Sequence, residues 1–392
     1  MNAKKKILMF SSADYTVSTR FTRLAKIFNQ GNFDVTIICC DRSFNFPKVS
    51  NLNGIKIIFI KSFLSKLKLN FIIMPFFLLH VYIKMFFKIL HHKFDFIYAY
   101  TFDMQIISIL IKKIFKKKLI YDSAEYYPGM VGDRVPYPIF SLIRTLYYKF
   151  AGKADLVLTT NTWTKYQFRL AKVDNVKMIS NVPELDMFFF NPSVRKTTRD
   201  LLNLKEDVVL FSFIGFLAEF RGLEEIIEAT KLLRENVSNF KILIVGRGPI
   251  KGKVMNLIKS YNLTNYFIVL DFVKFDKVPR YINASDAIFI LYNPNRLNNW
   301  YAVPNKLFEA VACQRAIIGS NFGYLKNLIL EMNCGLLVNP TDAEDIAEKM
   351  KSLIKDTDLR KRLGINGIKH IRDKYNLEHY SKILLNEVKK LN

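Results

Sequence analysis

The chain has 392 residues, half of them hydrophobic, and its 59 Lys and Arg against 34 Asp and Glu give a formal charge of +25. That length suits two to three domains of about 150 residues each, and so apolar a composition excludes a disordered basic tail. The excess charge admits a nucleic acid, an anionic membrane or a phosphorylated substrate as partner, and it is concentrated early: residues 1 to 200 carry 31 Lys and Arg against 13 acids, net +18, and the remainder net +7.

Short apolar runs alternate with helix-length amphipathic stretches along the whole chain, the pattern of βαβ units and parallel sheets. The first run, Lys6 to Phe10, follows a lysine cluster but is too short for a signal-peptide core and reads as a strand. Further strands are predicted at Val35 to Cys39, Ile55 to Ile60, Phe94 to Ala99, Leu119 to Asp122, Leu156 to Thr159 and Lys177 to Ile179. Between the third and fourth lies the longest uncharged apolar stretch, Phe71 to Ile83, too short for a membrane span of about 20 residues. It reads either as a buried core helix or as an interfacial helix, with Lys66, Lys68, Lys84, Lys88 and Lys93 turned to lipid headgroups. The basic tract Lys112 to Lys118 has the same two readings, a solvated helix face or a contact with anionic lipid.

Turn chemistry at Asn181-Val182-Pro183 and Asn191-Pro192, followed by the basic segment Arg195 to Arg199, places a domain boundary near residue 195. The alternation restarts with strands at Val208 to Ile214, Lys241 to Val245, Phe267 to Leu270, Ala287 to Leu291, Ala316 to Gly319 and Gly335 to Val338. The expected architecture is α/β: two doubly wound, Rossmann-like domains, 1–195 and 196–375, with parallel sheets facing across a cleft, and a C-terminal helix, 376–392, that packs back on the first. Ligands in such sheets bind outside the carboxyl ends of the strands.

Several chemistries are excluded. Residues 11 to 20, SSADYTVSTR, hold no GxGxxG after the first strand, and the chain has no Walker A lysine, HExxH or GxSxG motif. Cys39, Cys40, Cys313 and Cys334 form neither metal-ligand spacing nor a disulfide framework, which predicts a reducing, cytoplasmic setting. Asp356-Thr357-Asp358 precedes Arg360, Lys361 and Arg362 and reads as a helix cap rather than a metal site. No metal and no cofactor is expected.

Anion-binding features cluster in the second half. Pro304 suits the first turn of a helix whose free amides can receive an anion, and Lys306 adds a full positive charge there. Glu309 follows Asn305 by four residues, about 6 Å along the same face, so one helix could hold a diphosphate at its tip and a ribose hydroxyl pair a turn deeper. Gly215 joins a strand to a second helix opened by Arg221-Gly222, and Gly246-Arg247-Gly248-Pro249 is a turn suited to close backbone approach.

With these residues the chain resembles glycosyltransferase family 4, the retaining enzymes of GT-B architecture. Gly215 and Arg221-Gly222 look like the family's glycine and basic pair, with Arg221 in the diphosphate-lysine position, and Gly246 to Pro249 like its Gly-x-Gly-Pro turn. Asn305-Lys306-Leu307-Phe308-Glu309 resembles the Ser-Lys-Leu-Phe-Glu variant of its nucleotide helix, and Ser285-Asp286-Ala287 its strand entry. Gly335 to Val338, Tyr121 to Glu125 and Asn181-Val182-Pro183 resemble further family segments. Departures are Phe216 for a phosphate-binding Arg, Tyr301 for the earlier glutamate of a pair, Ala124 for a His, Cys313-Gln314 for Ala-Gly, and Lys326 near a usual Glu.

The resemblance implies a metal-independent hexosyltransferase working in polysaccharide or glycolipid synthesis. It would take a nucleoside-diphosphate sugar and a glycan or lipid-linked acceptor; the basic, apolar first half suits the inner face of a membrane, and with no recognition motif beside the charge no nucleic-acid partner is expected. Catalysis would rest on Arg221, Lys306 and Glu125, and donor binding on Gly215, Arg221, Gly246, Asn305, Lys306, Leu307 and Glu309. Other acids that could face an acceptor are Asp14, Asp103, Asp122 and Asp133. Two alternatives share the architecture, a sugar-nucleotide epimerase and a catalytically degenerate assembly subunit.

Overall fold

The computed structural model describes residues 4–14, 18–66 and 73–391. The chain divides into two compact units, Met1–Ser180 with Ser381–Asn392, and Asn181–Tyr380. Each is built on a sheet with helical crossovers.

The first unit carries eight strands: β1 (Lys5–Ser11), β2 (Phe33–Cys40), β3 (Val49–Leu52), β4 (Ile55–Ile60), β5 (Phe96–Tyr100), β6 (Lys118–Ser123), β7 (Leu156–Thr159) and β8 (Val176–Met178). Their order is β3-β4-β2-β1-β5-β6-β7-β8, parallel except for the β3–β4 hairpin. β7 and most of β1, β2 and β5 are buried on both faces, as a covered parallel sheet requires. The edge strand β3 departs from the expected set. Its turn is Asn53-Gly54, both at positive φ (51° and 82°), the two-residue hairpin geometry that this dipeptide favours.

The second unit carries β9 (Val209–Ile214), β10 (Phe240–Val245), β11 (Phe267–Leu270), β12 (Ala287–Ile290), β13 (Ala316–Ser320) and β14 (Gly335–Val338). The order β11-β10-β9-β12-β13-β14 is parallel throughout and reverses direction between β9 and β12. That reversal opens a crevice at the carboxyl ends of β9 and β12, the usual ligand position in doubly wound sheets.

The division falls at Ser180, ahead of the boundary expected near 195, because the basic segment is structural. Arg195 and Arg199 lie on the helix Pro192–Leu201, which Asn191 caps through Val194 N–H at 3.0 Å. Arg195 donates to Asp286 at 2.8 Å and to the Ser285 carbonyl at 2.7 Å, while buried Arg199 reaches the carbonyls of Ala284 and Val208. These bonds tie 191–199 to the entry of β12. At the other end of the chain, the helix Leu377–Lys389 carries residues into the first unit: Glu387 pairs with Lys177 at 3.1 Å, and Leu385 crowds Gly31. Asp356 caps the helix Thr357–Asn366 through Leu359 N–H at 2.7 Å. Among the described residues no group of three His, Cys, Asp or Glu could hold a metal, and no helix is long and apolar enough to cross a membrane. Phe71, Ile72, Lys68 and the side chains of Lys66 and Asp133 lie outside the described residues.

Candidate functional site

The crevice of the second unit is framed by the loops that leave β9, β10 and β12 and by the helix Asn305–Ala312. The first two loops are joined through main chain. Gly215 N–H donates to Val245 O at 2.8 Å, and Leu217 N–H to Arg247 O at 2.9 Å. The approach is so close that a Cβ on Gly246 would lie 1.8 Å from the Gly215 carbonyl oxygen, and one on Gly248 2.0 Å from that of Leu217. Gly248 had no role in the sequence reading beyond its turn, yet its lack of a side chain is what closes this seam.

Lys306 lies directly over Gly215. A Cβ there would meet Lys306 Cε at 2.8 Å and Nζ at 3.0 Å, so the glycine makes room for the ammonium. Lys306 sits in the first turn of Asn305–Ala312, whose N-cap, Pro304, supplies no side-chain bond to the first amides. Burial pushes the Lys306 pKa below its usual range; Glu309 opposes the shift and the nearby Arg221 adds to it. A cation held in this way, next to a second cation and uncapped amides, is arranged for an anion.

Arg221 stacks on the Tyr292 ring, 4.8 Å from its centre. Tyr292 follows β12 at the reversal point and is held by its N–H donating to Ser320 Oγ at 2.8 Å. Gly222 (φ 73°) is the N-cap of the helix Leu223–Leu233, and a Cβ there would strike Leu291. The first turn of this helix carries Glu224 and Glu225, with Glu224 paired to Lys253 at 2.7 Å. Burial raises the Glu225 pKa, and Glu224 and Glu228 add to the rise. The positive end of that helix therefore faces the chain's own carboxylates, and attraction for an external anion rests on Arg221. A cavity of about 200 Å³ opens here, lined by Glu219, Arg221, Glu225, Lys253 and Asn293 among others.

The remaining residues of the predicted donor set sort by burial. Asn305 and Lys306 are partly accessible, Glu309 is 3% exposed one turn deeper, and Leu307 is fully buried with its N–H bonded to the Pro304 carbonyl at 3.1 Å, so neither its side chain nor its N–H is open to a ligand. Phe216, on the loop after β9, is exposed, as is Phe272 after β11, over which the Arg247 guanidinium lies at 4.5 Å. Arg296 covers Phe220 at 4.4 Å. The roles of Tyr292, Phe272 and Phe220 were not foreseen; strand order would have pointed to Tyr292, but periodicity along the chain does not.

Glu125 belongs to the first unit. It is exposed just beyond β6, and its carbonyl accepts from Ser123 Oγ at 3.3 Å. Its neighbour Asp122, also a candidate, is fully buried: Arg20 donates to it from Nε at 2.9 Å and from Nη2 at 2.7 Å, and Tyr98 adds its hydroxyl. Arg20 also reaches the Ile179 carbonyl at 2.6 Å. Asp122 is thus consumed by a structural network that ties β5, β6 and the segment after β8. Asp103 bonds Thr101 Oγ1 in the first turn of the helix Thr101–Phe115, and Asp14 is half-buried after β1. Burial pushes the thiol of Cys40 up to about 11 and those of Cys313 and Cys334 up to about 12, which removes them as nucleophiles.

Residues 194–370 match the family described as glycosyl transferases group 1. An uncharacterized glycosyltransferase of Methanocaldococcus jannaschii, MJ1178, is 24% identical over 223 residues, covering 55% of this chain and 60% of its own length. The chain spans between 54% and 64% of the length of the first curated relatives it matches. The sucrose-phosphate synthase of Thermosynechococcus elongatus superposes with a TM-score of 0.84 at 16% identity over 99% of both chains. Anabaena HepE, solved in complex with UDP, superposes with a TM-score of 0.75 at 15% identity over 98% of this chain and 100% of its own. The fold is that of GT-B structures, two Rossmann-like domains with parallel sheets, and the second unit carries the group 1 glycosyltransferase pattern.

Proposed function

We propose that the protein is a retaining glycosyltransferase that moves a hexosyl group from a nucleoside-diphosphate sugar to a glycan or lipid-linked acceptor, in the cytoplasm, for cell-surface polysaccharide or glycolipid synthesis. The observation that carries this reading is the Lys306 ammonium laid over Gly215 beside Arg221, at the point where the second sheet reverses. The group 1 match over residues 194–370 and the UDP bound by the similarly folded HepE support it.

Arg221, Lys306 and the amides opening Asn305–Ala312 would hold the diphosphate, and Glu309, one turn deeper, the ribose hydroxyls. As the bond between the sugar's anomeric carbon and the phosphate oxygen breaks, negative charge grows on the diphosphate. Preorganised cations stabilise that charge more than they stabilise the bound donor, which lowers the barrier. The acceptor hydroxyl attacks from the same face, its proton passes to the departing phosphate oxygen, and a nucleoside diphosphate leaves. This route preserves anomeric configuration and needs no separate base. Glu125 is assigned to orient the acceptor.

The test is titration with UDP, GDP and ADP in the presence of EDTA, followed by donor hydrolysis and transfer assays with NMR of the product anomer. Binding of one nucleoside diphosphate without metal and a retained anomer are expected. Absence of all nucleotide binding refutes the proposal. Binding without transfer to any acceptor would instead assign a binding subunit, as Phe216, Ala124 and Tyr301 would allow.

A further inference from the structure

The helix Ile73–Ile89 has two apolar sides. Phe77, Val81, Met85 and Ile89 recur every fourth residue and are fully buried. On the other side Phe76, Leu79, Ile83 and Phe87 form a second stripe that is between 50% and 64% exposed. The neighbouring helix Thr101–Phe115 repeats the arrangement, with Ile106, Leu110 and Ile114 between 45% and 51% exposed. The two helices pack together, and the Tyr82 hydroxyl donates to the Asp103 carbonyl across their junction. Both are crossovers that advance in the same direction along the sheet, from β4 to β5 and from β5 to β6, so right-handed connection puts them on one face. A single core needs one stripe per helix; the second pair of stripes leaves a contiguous apolar surface of the kind that marks an interaction site.

Charge decides the occupant. Residues 73 to 117 hold seven lysines and two acids, Asp95 and Asp103. Asp95 accepts from Lys6 N–H at 2.8 Å and Asp103 from Thr101, so neither answers the lysines of this face. Lys84, Lys88, Lys113 and Lys116 are exposed along and at the ends of the stripes. A second copy would bring like charge to this rim, whereas an anionic bilayer brings opposite charge and an apolar interior. We propose that the paired faces of Ile73–Ile89 and Thr101–Phe115 lie in the interface of an anionic phospholipid membrane, with the aliphatic and phenyl side chains below the headgroups and the lysines among them. The assignment deepens the proposed use of a lipid-linked acceptor but stands on its own observations.

The experiment is flotation of the full chain with phosphatidylcholine vesicles, with and without phosphatidylglycerol. Binding to the anionic vesicles alone, weakened by salt, is expected. Each lysine near the surface contributes roughly fivefold, so Lys88→Gln with Lys113→Gln and Lys116→Gln should weaken binding roughly a hundredfold. Ile83→Ser with Phe87→Ser, on exposed positions, should weaken it at least tenfold while leaving the unfolding midpoint and any nucleotide-induced shift unchanged. The proposal is overturned if anionic vesicles fail to bind, if both variants bind like the parent, or if the parent is a dimer that the serine variant converts to monomer. Failure of nucleotide binding with intact flotation would count against the transferase reading alone.

Discussion

Replacing Lys306 by Met keeps the length of the side chain and removes its charge, which separates the cost of the ammonium from its use. In the ligand-free protein the charge is a net burden: desolvation of the largely enclosed ammonium and repulsion by Arg221 outweigh the attraction of Glu309. Met should therefore hold or raise the unfolding midpoint. The pH dependence has a definite sign. The folded Lys306 pKa lies below the ordinary value of 10.5, so between the two values the unfolded chain binds more protons and stability rises with pH. The Met variant should lose that alkaline gain.

Ligand response should move the other way. At 100 times its dissociation constant a nucleotide stabilises the wild type by about 2.7 kcal/mol, and at about 2–4 °C per kcal/mol the midpoint rises by roughly 5–11 °C. Loss of one buried charge-assisted contact costs about 3 kcal/mol, or roughly 150-fold in affinity. The same nucleotide concentration would then stabilise the variant by about 0.3 kcal/mol, a shift of roughly 1 °C. Differential scanning fluorimetry with the responding nucleoside diphosphate in EDTA reads both effects. A Met variant with the full shift would refute the placement of the diphosphate at Lys306.

Gly246→Ala should prevent folding of the second unit or cost several kcal/mol, since its Cβ would meet a carbonyl oxygen at 1.8 Å, whereas Gly252→Ala, with nothing within 4 Å in the helix Lys251–Ser260, should stabilise by about 0.5 kcal/mol; urea denaturation compares the two. Asp122→Asn strands the buried Arg20 guanidinium and should cost about 3–5 kcal/mol, with Arg20→Met in the same background restoring part of it; denaturant midpoints of the single and double variants check this. All four thiols are buried, so a disulfide-exchange reagent should titrate almost none in the native protein and four in guanidinium. Tyr292→Leu removes the ring under Arg221 and should weaken nucleotide affinity by about 0.5–2 kcal/mol, measured by calorimetry.

The strands were legible where apolar runs were bounded by turns: Ile55–Ile60, Leu156–Thr159, Phe267–Leu270 and Gly335–Val338 have the predicted bounds. β3 escaped because Val-Ser-Asn-Leu is half polar and its pairing depends on Asn53-Gly54, a signal two residues long. In the site, local spacing in the sequence placed Lys306, Glu309 and Gly215 correctly relative to their own elements. It could not see that Arg221 needs Tyr292, 71 positions away, or that Glu224 and Glu225 meet the helix end behind it. Asp122 and Arg195 show the converse, charges whose partners come from distant segments and which turn out to hold the fold. The apolar stretch beginning at Phe71 supported two opposed readings because the helix Ile73–Ile89 is apolar on two sides, one buried in the core and one exposed.

Because the seam between the loops after β9 and β10 is made of peptide groups, its shape does not depend on the side chains that project from it. Phe216 and Arg247 stand on that seam and can be exchanged without redrawing it. Under the proposed function, a library varied at these two positions, with the glycines untouched, is thus a route to altered donor choice that leaves the backbone seam unchanged.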